Sequence, residues 1–214
     1  MRFISHLDVL RYWERAIRRA RLPLSYSQGF TPHPKIAFAA PLPLGFTAES
    51  EVMDVTLDER VTLEAFRARL APQTSDDLCL VDAAEIPPSA PAPQSVLLWA
   101  DYALDLPGLD PAAARAACAL FLARESVPWS EEKKEKTRTY DLRAGVASLS
   151  AAPLDGGSRL SLRLQADAEL TLRPEQVLAA MLPGLEPGPI ARTGLVLDEP
   201  SPAHLAWRRK GRFQ

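Results

Sequence analysis

The chain is poor in the residues that carry most metal and redox chemistry: two cysteines, three histidines and three methionines among 214 residues. Cys79 and Cys118 lie far apart, one in a strand-like and one in a helix-like stretch. Disulfide frameworks and zinc sites need denser cysteines, so both are expected as free, buried thiols in a reducing cytoplasm. No apolar run approaches the ~18–20 residues that cross a bilayer, and no membrane partner is expected. The segment from Met1 to His6 runs straight into arginine-rich sequence, so no signal peptide is expected either. Net charge is also scarce. Twenty-five Lys+Arg against 27 Asp+Glu leave −2, which excludes a histone-like polycation and a polyacidic tail.

Proline and uneven charge are what the chain has in abundance. Residues 1–40 carry seven basic and two acidic side chains, residues 41–110 three and thirteen, and residues 111–214 fifteen and twelve. The near-zero total is a basic head cancelled by an acidic middle. Of the 20 prolines, Pro87, Pro88, Pro91 and Pro93 fall close together. Such a run cannot enter a helix interior or a central strand and favours extended polyproline geometry. It marks residues 87–95 as a linker between a first domain, 1–86, and a second, 96–200, with 201–214 as a basic tail.

Ser5-x-x-Asp8 is a helix start, and Leu7, Leu10, Trp13, Ile17 and Ala20 recur at helical spacing until Pro23 stops the pattern. Strands are expected at 22–26, 36–40, 53–57 and 78–86, with a helix capped by Thr62 and carrying Leu63, Phe66 and Leu70. The second half reads as a strand at 98–106, then a helix opened by Asp110-Pro111. A charged stretch, 131–143, leads into a hairpin turning at Asp155-Gly156-Gly157; a helix opened by Pro174 and a last strand at 191–197 follow. Each half thus reads strand–helix–strand–strand–helix–strand. The expected fold class is α+β: two ferredoxin-like (split βαβ) domains in tandem, the first with a shortened opening strand.

Two segments of the head carry chemistry. Arg11, Arg15 and Arg18 form one stripe opposite the apolar face, with Arg19 beside it and Glu14 able to pair with Arg18. Like charges at four residues cost a few tenths of a kcal/mol each, and clustered guanidinium groups suit phosphate, which arginine grips bidentately. The plainer reading is a solvated helix face, or one docked on the chain's own acidic middle. In the loop Tyr26-Ser27-Gln28-Gly29-Phe30-Thr31-Pro32-His33-Pro34-Lys35 a histidine is held between two prolines. Tyr26 and Phe30 offer stacking faces, while Ser27, Gln28, Thr31 and Lys35 offer polar contacts. His33 and Tyr26 are the candidate acid and base, with Lys35 stabilising an oxyanion; alternatively the loop is a rigid structural hairpin. His6, Asp8 and His33 make too thin a ligand set for a metal, and none is expected. His204 carries no argument.

A second basic cluster combines Lys133, Lys134, Lys136, Arg138, Tyr140 and Arg143, with Glu131, Glu132 and Glu135 interleaved. It reads equally as a solvated loop or a nucleic-acid arm. The stretch Trp207-Arg208-Arg209-Lys210 reads as a basic tail adding nonspecific affinity.

The run Arg2-Phe3-Ile4-Ser5-His6-Leu7-Asp8, Arg15, Arg18-Arg19-Ala20, Leu22-Pro23-Leu24-Ser25-Tyr26-Ser27-Gln28-Gly29-Phe30-Thr31-Pro32-His33-Pro34-Lys35-Ile36 and Pro41-Leu42-Pro43-Leu44-Gly45 resembles a radical-SAM-linked bacterial family of unknown function. That domain sits at the C-terminus of certain radical SAM proteins or is encoded separately. The resemblance is dense over residues 2–57. It returns at Lys136-Thr137-Arg138-Thr139-Tyr140-Asp141-Leu142-Arg143 and at Arg192-Thr193-Gly194-Leu195. It implies a separately encoded radical SAM partner, since this chain lacks the Cys-x-x-x-Cys-x-x-Cys triad that holds such an enzyme's cluster. No cofactor of its own is expected. The residues and the resemblance together give an RNA-binding accessory protein acting with a radical SAM enzyme on structured RNA, tRNA or rRNA. Two alternatives stand beside it. One is a metal-independent endoribonuclease using Tyr12 or Tyr26, His33 and Lys35; the other is a protein-interaction module without nucleic acid.

Overall fold

The computed structural model describes residues 2–133 and 136–198, without the side chains of Lys133 and Lys136. Lys134, His204 and the expected tail at 201–214 lie outside the described residues. In chain order the elements are α1 (His6–Arg19), β1 (Ile36–Phe38), β2 (Thr47–Ala48), β3 (Met53–Val55) and α2 (Leu63–Leu70). Then come β4 (Leu97–Pro107), α3 (Pro111–Leu122), β5 (Pro128–Lys133), β6 (Lys136–Asp141), β7 (Val146–Leu154), β8 (Gly157–Gln165), α4 (Pro174–Met181) and β9 (Ile190–Leu197). The chain is α+β. Among the described residues, 2–45, 50–97 and 197–198 form one compact unit, and 46–49 with 98–196 form the other. No helix among the described residues is long and apolar enough to cross a membrane.

In the first unit the Ser5 hydroxyl accepts the Asp8 N–H and starts α1 as its sequence requires. Trp13, Ala16, Ile17 and Ala20 are buried and make a core with Leu22, Leu24 and Leu70. Leu7, expected on the same face, is exposed. The helix ends in paired bonds, Arg21 N–H to the Arg18 carbonyl at 3.0 Å and Leu22 N–H to the Ile17 carbonyl at 3.2 Å. This is the Schellman geometry, with Leu22 and Ile17 both buried as its apolar contact. Its left-handed position is filled by Arg21, at φ 53°, and not by glycine.

β1 runs antiparallel to β3, with Ile36 opposite Val55 and Phe38 opposite Met53. The expected strand at 22–26 reaches this pair only through isolated bridges, Leu24 to Leu57 and Tyr26 to Pro34. The expected strand at 78–86 forms no ladder among the described residues, beyond a bridge from Leu78 to Ser75. Side-chain bonds hold it instead: the Arg67 guanidinium donates to the Asp82 carboxylate and the Ala83 carbonyl. Residues 2–4, the described part of the opening stretch, also form no strand, and Arg2 is fastened to Gly45 by a backbone bond of 2.8 Å and a side-chain bond of 3.1 Å. The proline-rich run is not a free extended spacer. It turns at Pro87–Ala90, then makes a 3-10 turn, Pro93–Ser95, whose buried Pro93 belongs to the segment lying against β1.

The second unit is built on a five-stranded sheet of order β2-β9-β4-β8-β7. β4 pairs antiparallel with β8, β8 antiparallel with β7, and β2 parallel with β9. Alternation decides its faces. Tyr102, Leu104, Leu106, Leu160, Leu162 and Leu164 point inward with Phe121 of α3 and Val177 of α4. On the outer face, cross-strand partners carry opposite charge: Arg163 grips Asp101 through two bonds of 2.7 and 2.8 Å, and Arg159 grips Asp105 through 2.6 and 3.0 Å. Such pairs are each worth about 0.2–1 kcal/mol. The β7–β8 turn is Asp155-Gly156, with Gly156 at φ 71°.

Two further expectations are corrected. The charged stretch leading to that turn is itself a hairpin, β5 against β6, with Trp129 opposite Tyr140 and the Ser130 and Thr139 hydroxyls 3.0 Å apart. Of the two cysteines, Cys118 is buried but Cys79 is exposed. Cys79 falls in the segment that was to be a strand and forms no ladder, so the sheet that would cover it is absent there.

Left-handed backbone disfavours a residue with a Cβ by roughly 1–2 kcal/mol. Arg21→Gly should therefore raise unfolding stability by about 1 kcal/mol, read from the midpoint shift in urea. No shift would mean that Arg21 makes a compensating contact.

Candidate functional site

The buried seam of α1 fixes what its other faces present. Arg11, Arg15, Arg18 and Arg19 are all exposed. Asp8, Arg11, Tyr12, Arg15 and Arg19 line a groove of about 310 Å3. The expected stripe of Arg11, Arg15 and Arg18 is thus altered: Arg19, four residues after Arg15, completes the groove, and Arg18 turns toward Tyr26, whose phenol its charge influences. Tyr12 is fixed in place, donating to the Leu78 carbonyl at 2.8 Å and accepting the Ser75 N–H at 2.6 Å. Arg19 donates to the Gln73 carbonyl at 2.8 Å. Arg11 lies 3.4 Å from Asp8, an exposed and weak pair. The Ser5 hydroxyl, and to a lesser extent Arg11, hold the Asp8 carboxyl below the usual carboxylate value. Arg15 and Arg18 have no carboxylate within ion-pair distance among the described residues.

Glu14 does not pair with Arg18. It accepts the Tyr26 hydroxyl at 3.0 Å and so joins α1 to the base of the 26–35 loop. Burial, then the Glu14 bond and charge, push the Tyr26 phenol above its ordinary value, with Arg18 opposing in part. A phenol in that state holds its proton, which suits it poorly to act as a base at neutral pH. Its ring packs against the first unit's core, so it is not an open stacking face either.

The loop is closed at its base. Ser27 N–H donates to the His33 carbonyl at 2.8 Å, His33 N–H to the Ser27 hydroxyl at 2.9 Å, and Lys35 N–H to the Ser25 carbonyl at 2.8 Å. Gly29 sits at φ 134°, a conformation that residues with a Cβ rarely adopt. With Pro32 and Pro34 stiffening the return, the tip presents Gln28, Phe30, Thr31, His33 and Lys35 to solvent. The structure therefore leaves His33 and Lys35 both exposed and takes Tyr26 out of the open part of the loop. His6 turns away and meets the Phe38 ring edge-on at 5.0 Å. No three His, Cys, Asp or Glu side chains among the described residues converge as metal ligands.

The second cluster belongs to the other unit and has different employment. Arg143 donates to the Leu122 and Val146 carbonyls at 3.1 and 3.2 Å, closing the end of α3. Arg138 donates to the Glu169 carbonyl and lies over the Tyr140 ring, 5.7 Å from its centre. The Tyr140 hydroxyl accepts from Gln176 at 2.9 Å, and burial with the Glu131 charge raises its phenol. These donors are engaged in backbone and side-chain contacts of the unit itself.

Sequence reasoning left two parts of the head unplaced. Asp8 and Tyr12, whose chemistry was considered there only as a weak ligand and an alternative catalytic residue, complete the groove, and the four-residue spacing of Asp8-Tyr12 and Arg11-Arg15-Arg19 is the signal that would have joined them. Arg21 adds an exposed cation at a strained turn, which charge patterning alone does not reveal.

Residues 1–174 match the family described as "Uncharacterized protein conserved in bacteria (DUF2344)". No curated protein matches the chain.

Because the Tyr26 phenol is raised in the folded state, its contribution to stability is complete below about pH 10 and fades as pH climbs through the folded-state value. Glu14→Gln removes the adjacent charge and should bring the Tyr26 ionisation to lower pH. The difference in phenolate absorbance against Tyr26→Phe measures it, and an unmoved titration would refute the Glu14 contact.

Proposed function

The chain belongs to this DUF2344 family, and from that premise we propose that it is an RNA-binding accessory protein acting with a separately encoded radical SAM enzyme on structured RNA, tRNA or rRNA. The observation that carries the reading is the state of the arginines on α1. Arg15 and Arg18 have no carboxylate partner among the described residues, while acids of the middle segment are engaged by other arginines. Exposed guanidinium groups held in a row on a rigid helix bind consecutive phosphates and release condensed counterions. Arg21, which stands where glycine would fit with less strain, adds to the same charge.

In this reading Arg11, Arg15, Arg18 and Arg19 hold the RNA backbone. Ser27, Gln28, Phe30, His33 and Lys35 meet the recognised nucleotide. Arg138, Tyr140 and Arg143 support the second unit more than they touch RNA. The radical SAM partnership rests on the sequence resemblance, which is densest over the residues that carry the basic head. The same reading takes the two units as tandem ferredoxin-like domains. With the β5–β6 hairpin taken as an insertion, the β4-α3-β7-β8-α4-β9 order of the second supports its half; the first has α1, β1, β3 and α2 but lacks both an opening strand and a ladder at 78–86.

Combined Arg11→Ala, Arg15→Ala and Arg18→Ala substitution should weaken tRNA binding by roughly ten- to a hundredfold at low salt. It should also reduce the slope of log affinity against log salt by about 2, near 0.7 per lost phosphate contact on single-stranded RNA. Fluorescence anisotropy across a salt series reads both. A wild-type protein that binds neither tRNA nor rRNA fragments at low salt would sink the proposal. Co-purification of a tagged chain from its host tests the radical SAM partnership separately.

A further inference from the structure

We infer that Phe30 stacks on an unpaired base, so that the RNA this chain selects carries a single-stranded or splayed-out nucleotide and is not a continuous duplex. The inference rests on the RNA-binding reading and adds a substrate class to it.

Three observations lead there. Phe30 is the most exposed large apolar residue described, with a relative accessibility of 111%, more than the 76% of Phe3 or the 69% of Leu120. Its carrier is stiff. The loop is pinned at Ser27 and His33 by two bonds, joined to α1 through Tyr26 and Glu14, and constrained by Pro32 and Pro34. A backbone pinned in this way presents the ring without having to order the loop on binding, which lowers the entropic cost. The third observation is its setting. Gln28, Thr31, His33 and Lys35 are all exposed on the same loop. A protein-docking anchor is ordinarily one member of an apolar patch. A phenyl ring among an imidazole, a cation, an amide and a hydroxyl is instead the arrangement that takes a base on its ring, reads the base edge and holds the phosphate.

Position distinguishes Phe30 from Tyr26. Both aromatics are stacking candidates in the sequence, but the Tyr26 ring packs on the core and its hydroxyl is tied to Glu14. Of the loop's two phenyl-type rings, Phe30 is the one left open, and the stacked base is assigned to it. Bases within a duplex have both faces covered by their neighbours, so a duplex can satisfy the arginines of α1 and leave Phe30 without a partner. A single strand or loop can satisfy both.

The test compares a labelled single strand of about 12 nucleotides with a duplex of the same length, using the full chain and anisotropy at low salt. That length lies within the usual footprint of single-strand binders. Wild type should prefer the single strand. Phe30→Ala should lose roughly tenfold on the single strand and less than about twofold on the duplex. Phe30→Trp should restore the lost affinity. Phe30 is fully exposed, so the variants are expected to fold, and circular dichroism checks this. Arg15→Ala serves as the contrast and should weaken both ligands alike. Binding of both RNAs by wild type with no effect of Phe30→Ala would overturn the inference and leave RNA binding standing. Binding of neither would remove the RNA-binding reading and the inference with it.

Discussion

The seam of Trp13, Ala16, Ile17 and Ala20 leaves α1 no freedom to roll about its axis. Truncating one large buried residue of such a seam costs about 2–5 kcal/mol. Repulsion between arginines stacked at four residues costs only a few tenths each. The seam therefore wins, and the helix keeps its arginines outward despite their mutual repulsion. Two features of the head follow from that orientation. Glu14 falls at the border of the seam, where it meets Tyr26 and fastens the loop. Arg11, Arg15 and Arg19 fall on one edge at four-residue spacing and form a groove with Asp8 and Tyr12.

The acidic middle would have offered these arginines a partner within the chain. In the structure five of its thirteen acids are used elsewhere: Asp82 by Arg67, Glu85 by Arg60, Asp101 by Arg163, Asp105 by Arg159, and Asp110 as the cap of α3. Sequence order does not govern these pairings. The acids on β4 meet arginines on β8 because register sets them opposite one another. Thus the segment charges computed along the chain, although correct as sums, do not report which opposite charges meet. The head keeps its excess of cations once those pairings are made.

Elements set by local chemistry were legible. α1, α2 and α3 begin at Ser5, Thr62 and Asp110, whose side chains accept the orphaned first-turn N–H groups, and the Asp155-Gly156 turn follows from its glycine. What was not legible depended on partners distant in sequence. Residues 78–86 alternate like a strand but find no neighbouring strand, and Arg67 holds them instead. The hairpin of β5 and β6 was hidden for the opposite reason. Its cross-strand partners are polar and aromatic, Trp129 with Tyr140 and Ser130 with Thr139, so no apolar alternation announces it. Within the site, the identity of the arginines and of the loop was legible. Which arginine joins the groove, and which aromatic remains open, required the positions of Gln73 and Glu14.

Arg143 and Arg15 show why composition alone could not rank the two basic clusters. Each is an arginine in a stretch that carries the family resemblance, dense around Arg15 and returning around Arg143, and each reads as a phosphate contact. Arg143 donates to two carbonyls at the end of α3, where a cation also opposes the negative end of the helix. Removing it leaves those acceptors without that donor, a structural loss that would also weaken binding indirectly. Arg15 lines an open groove, and no carboxylate or carbonyl of the described residues receives its guanidinium. A group without internal work contributes little to holding the fold and stays free to meet a partner from outside. The distribution of engaged and unengaged donors separates the two clusters: the second is used in holding its own unit together, whereas α1 keeps arginines open to solvent.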